Sequence, residues 1–221
     1  MYDIVFISYQ EPSADANYAS LKARFPMAKR VHGVKGIHHA HIKAAKKCFT
    51  KMFWIVDADA IILDDFNLDY VVPEHQLDHV HVWRAKNPIN DLVYGYGGIK
   101  LFPRQLTIDM DTSKTDMSTS ISSKFIAVQE TSNTTVFNTD AFSAWRGAFR
   151  ECAKLASKTI QGQIDKETEQ RLETWCTVGE DRPYGSYAII GANAGREFGI
   201  SNRSNISLIN NFDWLAQQFN A

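Results

Sequence analysis

Apolar and polar positions divide the chain into two differently patterned halves. Ile4 to Ser8 is an unbroken apolar run, and Met52 to Val56 is another. Short continuous runs of this kind predict strands covered on both faces. Between them Tyr18, Leu21 and Phe25 recur at helical spacing over Asn17–Phe25, Ala28–Val31 suits a short strand, and an alanine- and lysine-rich helix is expected over His38–Phe49. Strand, helix, strand, helix, strand within about sixty residues predicts an α/β fold of the doubly wound kind.

The second half is less regular. His79–Arg84 alternates as a strand and Phe125–Val128 suits another. Residues 109 to 124, rich in Asp, Ser, Thr and Lys, read as a surface excursion. Asn138, Thr139 and Asp140 offer caps to a helix over Ala141–Lys158. Gln161–Thr168 reads as polar linker or exposed helix, Leu172–Cys176 as helix, and Glu180–Gly185 as a loop. Leu208, Phe212, Leu215 and Phe219 share one face of a terminal helix.

Composition adds limits. At 221 residues and 44% hydrophobic, the chain buries a core without covalent staples. Basic residues number 24 and acidic residues 25, which excludes a uniformly basic nucleic-acid binder but not a basic face. Cys48, Cys152 and Cys176 form neither a disulfide framework nor a zinc motif, in keeping with a reducing compartment. The first apolar run lacks a preceding basic residue and a cleavage site, so it reads as a strand and the expected location is cytoplasmic, of the cell or of an infected host. No apolar stretch reaches the length of a membrane span, and no membrane partner is expected.

The sharpest chemical feature is Asp57-Ala58-Asp59, directly after the apolar strand. Strand side chains two apart project the same way. The two carboxylates would therefore meet at the carboxyl edge of the sheet, where open α/β sheets bind ligands. Paired carboxylates suit an oxygen-preferring cation, Mn²⁺ or Mg²⁺, which makes a nucleoside diphosphate a better leaving group. Asp-x-Asp also arises by chance, and Asp109-Met110-Asp111 is a second copy, but only the first follows a strand. Charge is segregated around it. Lys22 to Lys51 carries nine Lys and Arg, four His and no acid; Met52 to Trp83 carries seven acids and no Lys or Arg. A basic block beside an acidic site suits phosphates, although Lys43, Lys46 and Lys47 equally suit a solvated helix face. The histidines form no zinc motif; His79 and His81 share a strand face and suit packing.

These residues resemble a family. Ile4–Tyr9, the basic loop with Lys35-Gly36-Ile37-His38, and Phe53–Asp59 resemble the nucleotide-binding half of GT-A glycosyltransferases. Phe6-Ile7-Ser8-Tyr9-x-Glu11-Pro12, Lys86–Asn90, Tyr94–Lys100 and Trp175–Gly185 are similar to small glycosyltransferases of tailed phages. The resemblance implies a single GT-A (Rossmann-like) domain over 1–221, with a mostly parallel central sheet flanked by helices. Residues 1–100 would be the sugar-nucleotide half and 101–221 the acceptor-side half.

It implies a metal-dependent transferase moving a sugar, arabinose among the candidates, from a UDP-sugar to a hydroxyl of phage DNA carrying hydroxymethylated pyrimidines. Ser8, Tyr9, Glu11 and Pro12 would line the donor-base pocket, and Lys35 and His38 would face the nucleotide. Asp57 and Asp59 would hold the metal, with Asp57 also on the donor. Trp83, Tyr94, Gly97 and Gly98 would lie on the acceptor side. Asp181, or Glu180, would accept the acceptor proton. One departure stands out: many GT-A enzymes use a late histidine as third metal ligand, and no histidine follows His81. A glycan, lipid or protein acceptor, and a non-catalytic nucleotide- or DNA-binding protein, are the competing readings.

Overall fold

The computed structural model describes residues 1–158 and 164–221. The chain divides into two compact units, one of residues 1–86 and 93–135, the other of 87–92 and 136–221. The main division follows the end of the last strand.

The first unit is α/β. In chain order it comprises β1 (Asp3–Ser8), α1 (Ala14–Arg24), β2 (Lys29–His32), α2 (Ile37–Lys46), β3 (Met52–Asp57), β4 (Ala60–Ile62), β5 (Val80–Lys86), β6 (Val93–Tyr94), β7 (Ile99–Pro103), α3 (Arg104–Ile108), α4 (Met117–Ile121) and β8 (Phe125–Thr135). Strand order is β2-β1-β3-β7-β5-β8-β4, with β6 paired to β5. β1 is parallel to β2 and β3, and β5 to β8, but β7 runs antiparallel to both β3 and β5. The sheet is therefore mixed, where a mostly parallel one is expected from the sequence.

β3 is the hub. Trp54 and Val56 enter a core with Ile4, Phe6, Leu21, Phe66, Trp83 and Leu101; Phe53 and Ile55 enter the opposite core with Val5, Ala44, Ala45 and Phe102. The continuous apolar run is explained, since a strand covered on both faces has no position for a polar residue. Residues 109–124 are only partly a surface excursion: Met110, Met117 and Ile121 are buried, and Asp116 caps α4 through Thr119 N at 2.9 Å.

At the amino edge of the sheet the Asp3 carboxylate gathers four donors. It accepts from Lys29 Nζ (2.6 Å), Phe49 N (2.7 Å), Thr50 N (2.9 Å) and Thr50 Oγ1 (2.9 Å). Burial works against its charge, but Lys29 and the backbone N–H groups outweigh it and hold Asp3 well below the usual carboxylate range.

The second unit is helical: α5 (Ala141–Ser157), α6 (Asp165–Thr177), α7 (Gly185–Ser201), a 3₁₀ segment (Arg203–Asn210) and α8 (Phe212–Phe219). Asp140 caps α5, accepting from Ser143 N at 2.8 Å. The linker expected at 161–163 lies outside the described residues, and from Asp165 the chain is helix. The expected helix over 208–219 is broken at Asn211, whose side chain caps α8 by accepting from Trp214 N at 3.1 Å. Cys152 and Cys176, distant in sequence, meet as free thiols; a hydrogen bond between them draws Cys176 down to about 7.

α7 is not anticipated by the sequence reading, yet it packs closely on α5. A Cβ at Gly191, Gly195 or Gly199 would strike the carbonyl oxygen of Trp145, Phe149 or Ala153 respectively. The three glycines, four apart, form one face along which backbone meets backbone.

In an open helix Gly→Ala gains about 1 kcal/mol, but Gly195→Ala must push two helices apart, and overpacking costs about 1–3 kcal/mol or more. We expect net destabilisation, read as a lower denaturation midpoint. The depressed Asp3 carboxyl contributes stability above its unfolded value of about 4, and that stability is lost as pH falls below it. Asp3→Asn should therefore lower stability at neutral pH and flatten its decline below about pH 4 in acid denaturation.

Candidate functional site at the carboxyl edge of β1 and β3

β1 and β3 are parallel neighbours with Ile7 opposite Asp57, so their ends and the loops that follow lie at one edge. β1 delivers Ser8 and the loop Tyr9–Ser13; β3 delivers Asp57 and the turn through Asp59. The first turn of α1, which follows the β1 loop, is tied to the turn after β3, Asn17 Nδ2 donating to Ala58 O at 2.8 Å. Glu11 is held in the first loop, its Oε2 accepting from Tyr9 N at 2.7 Å.

Asp57 is half-buried and well supported. Its Oδ2 accepts from Lys100 Nζ at 3.1 Å and from Gly98 N at 3.2 Å. Burial raises its pKa, but the Lys100 charge prevails and the carboxyl sits below the ordinary range. Asp59 behaves oppositely. Burial, then the charges of Asp57 and Glu11, push it up to about 7. Three carboxylates thus share one neighbourhood in which Lys100 is the cation acting on both aspartates.

The other expected site residues are placed as follows. Ser8 is buried, its Oγ 2.9 Å from His32 Nδ1 and accepting from Arg30 Nε at 3.0 Å. Tyr9 is half-buried, and Pro12 and Lys35 are exposed, in loops at this same edge. His38 lies 3.2 Å through Nε2 from Ser120 Oγ, and burial lowers its pKa.

The residues expected on the acceptor side are placed within the sheet and its turns. Trp83 is fully buried, its ring 4.6 Å from that of Trp54, with Nε1 donating to Glu130; it is a core residue. Tyr94 is buried and stacked on Tyr96 at 4.8 Å. Gly98 has φ +79° and its missing Cβ leaves room for the Asn133 side chain; Gly97 is buried beside Thr135. These glycines serve a tight turn between β6 and β7. In the second unit Glu180 and Asp181 are exposed in the loop before α7, where Arg182 pairs with Asp91 at 3.0 Å.

Two residues at the site carry no role in the sequence reading. Lys100 interrupts the apolar run of β7, a signal whose meaning depends on the antiparallel register that sets it beside β3. His41 is buried in α2 with Nδ1 2.8 Å from Ile37 O and, among the described residues, no hydrogen-bond partner for Nε2. Burial draws it down to about 4, so it is neutral near pH 7.

Among the described residues no three His, Cys, Asp or Glu side chains form a metal-chelating group. A two-carboxylate site is nonetheless how Mg²⁺ is commonly held, through one or two side chains plus substrate phosphates. Burial and the charges of Asp57 and Glu11 disfavour the Asp59 carboxylate, and a divalent cation held by Asp57 and Asp59 would relieve that repulsion. No helix among the described residues is long and apolar enough to cross a membrane. In comparison with known proteins, no family model and no curated sequence matches the chain.

Proposed function

We propose that the chain is a metal-dependent glycosyltransferase of GT-A type, using a nucleotide-sugar donor, UDP-linked by the resemblance above, and a hydroxyl of modified DNA as acceptor. The observation that supports this reading is the Asp57 carboxylate at the carboxyl edge of two parallel strands, held by Lys100, with Asp59 in the turn that follows β3 and Glu11 in the loop that follows β1. Asp57 and Asp59 would hold Mn²⁺ or Mg²⁺. When bound, the cation neutralises charge on the departing nucleoside diphosphate.

The chain's own residues prepare that site. Lys100 and Gly98 N fix the Asp57 carboxylate and keep it ionised. The Ser8–Pro12 loop borders the same edge, in keeping with a donor-base pocket. Lys43 and Lys46 on α2 and Lys47 at its C-cap are exposed, and their charge supports a phosphate-bearing acceptor over a neutral glycan. Asp181, with Glu180 as the neighbour to test next, is the proposed acceptor of the hydroxyl proton.

The reading is tested by mass spectrometry of nucleosides after incubating the protein with hydroxymethylcytosine DNA, Mn²⁺ and a panel of UDP-sugars. A mass gain matching a transferred sugar is expected, and a chelator should abolish it; transfer that survives chelation removes the cation from the mechanism. Asp59→Ala should also abolish transfer while the melting temperature holds or rises, because the substitution removes a charge repelled by Asp57 and Glu11. Asp181→Asn should lower turnover by roughly a hundredfold or more, the usual scale for a positioned base. Unchanged turnover would return Asp181 to a solvated loop position.

A further inference from the structure

The amino edge of the first unit, at the opposite end of β3 from Asp57, carries a feature the donor site does not use. Phe49 is 88% exposed, although it lies between two buried segments. Its backbone is anchored: Phe49 N and Thr50 N both donate to Asp3 Oδ2. One face of its ring is backed by Lys29 Nζ, 4.8 Å from the centroid, and Lys29 is itself fixed by Asp3 Oδ1 at 2.6 Å and Lys47 O at 2.8 Å. The ring is therefore presented on a rigid mount with its other face to solvent. Beside it opens a cleft of about 350 Å³ whose border includes Phe49, Lys51, Pro103, Arg104 and Gln105, with one acid, Asp78, which is paired with Lys124.

A basic line leads to this ring. α2 runs from the carboxyl edge, where β2 ends, back to the amino edge, where β3 begins. Lys35, His39, Lys43 and Lys47 recur every four residues, all exposed, joined by exposed Lys46 and Lys51. Four-residue spacing places the helical members on one face. Lys43, Lys46, Lys47 and Lys51 carry no ion pair among the described residues. From His39 to Lys47 the face extends about 12 Å, the length of roughly three to four phosphates of one strand.

We propose that this face is a nucleic-acid track: phosphates of a single strand lie along Lys43, Lys46 and Lys47, and an unstacked base rests on the free face of Phe49. Lysines alone would serve any polyanion. A rigidly mounted aromatic ring, open on one face and continuous with the lysines, is the arrangement that binds single strands irrespective of sequence. A duplex keeps its bases stacked and can use only the lysines. The inference deepens the DNA-acceptor reading and rests on it for the polymer, but binding requires neither cation nor donor.

Fluorescence anisotropy with a labelled 20-nucleotide oligothymidylate and a labelled 20-base-pair duplex, each at several salt concentrations, tests it on the full chain. Phe49→Ala should weaken single-strand binding by roughly 5- to 150-fold, the scale of one lost stacking contact, and change duplex binding less than about twofold. Phe49→Trp, which retains a π face, should bind at least as tightly as the parent. Charge reversal of Lys43, Lys46 and Lys47 should weaken both ligands and flatten the single-strand salt slope by roughly 2, at about 0.7 per phosphate. Equal single-strand affinity in Phe49→Ala and parent, with melting temperatures matched, overturns the stacking platform. Sedimentation with phosphatidylserine vesicles in the absence of oligonucleotide binding overturns the track itself. Failure of sugar transfer with these binding results intact would sink the transferase reading and leave the track standing.

Discussion

The first unit depends on a strand with water on neither side. Phe53, Trp54, Ile55 and Val56 are all fully buried or nearly so, alternating between two cores. Asp57 is the next residue, so the chain passes from the driest part of the sheet to a carboxylate in one step. Such a carboxylate requires a fixed partner, because solvent is too restricted to screen it. The partner comes from the mixed character of the sheet. β7 runs antiparallel to β3, which brings its beginning, Gly98 to Lys100, to the end where Asp57 emerges. A parallel neighbour would have brought its own carboxyl end to that position. The antiparallel strand thus supplies a backbone N–H and an ammonium to one carboxylate, while Asp59, two residues on and past the strand end, is pushed toward the neutral form by burial and by Asp57 and Glu11.

This arrangement explains what was legible in the sequence. Elements from β1 to β3 are announced by continuous apolar runs and helical spacing, and Asp57-Ala58-Asp59 stands out by following such a run. Lys100 could be noticed but not interpreted, since its role depends on a cross-strand register opposite Ile55, two residues before Asp57, which no local pattern encodes. β8 extends to Thr135, well past the expected Val128, because its later residues are polar; Ser132 and Asn133 are buried there by bonding to Arg84 O and to each other and Thr135. Trp83, at the end of an alternating strand, has the look of an exposed aromatic, but the packing of Trp54, Phe66 and Tyr70 around it closes the core.

In the second unit the same physics works through missing atoms. α7 escapes propensity reasoning because glycine is a poor helix former. What the helix loses in propensity it recovers in proximity: without Cβ atoms at Gly191, Gly195 and Gly199, the carbonyl ridge of α5 can approach. Around this seam Trp145 stacks on Phe149 at 4.8 Å, and Phe198 and Trp214 meet at 5.1 Å, closing a separate aromatic core with Ile206, Ile209 and Leu215. Local preference and tertiary packing disagree along α7, and packing prevails.

The strand order also determines how the sheet ends. Its outermost strands are β2 and β4. An unpaired strand edge is a template on which another chain can add, and proteins blunt such edges with charge or brevity. β2 is four residues long, and its Lys29 and Arg30 are paired with Asp3 and Asp15. β4 is three residues long, too short to offer more than a few unpaired backbone groups. The shortness of both edge strands therefore has a colloidal consequence apart from any ligand: it limits the backbone that copies of this sheet could pair with one another.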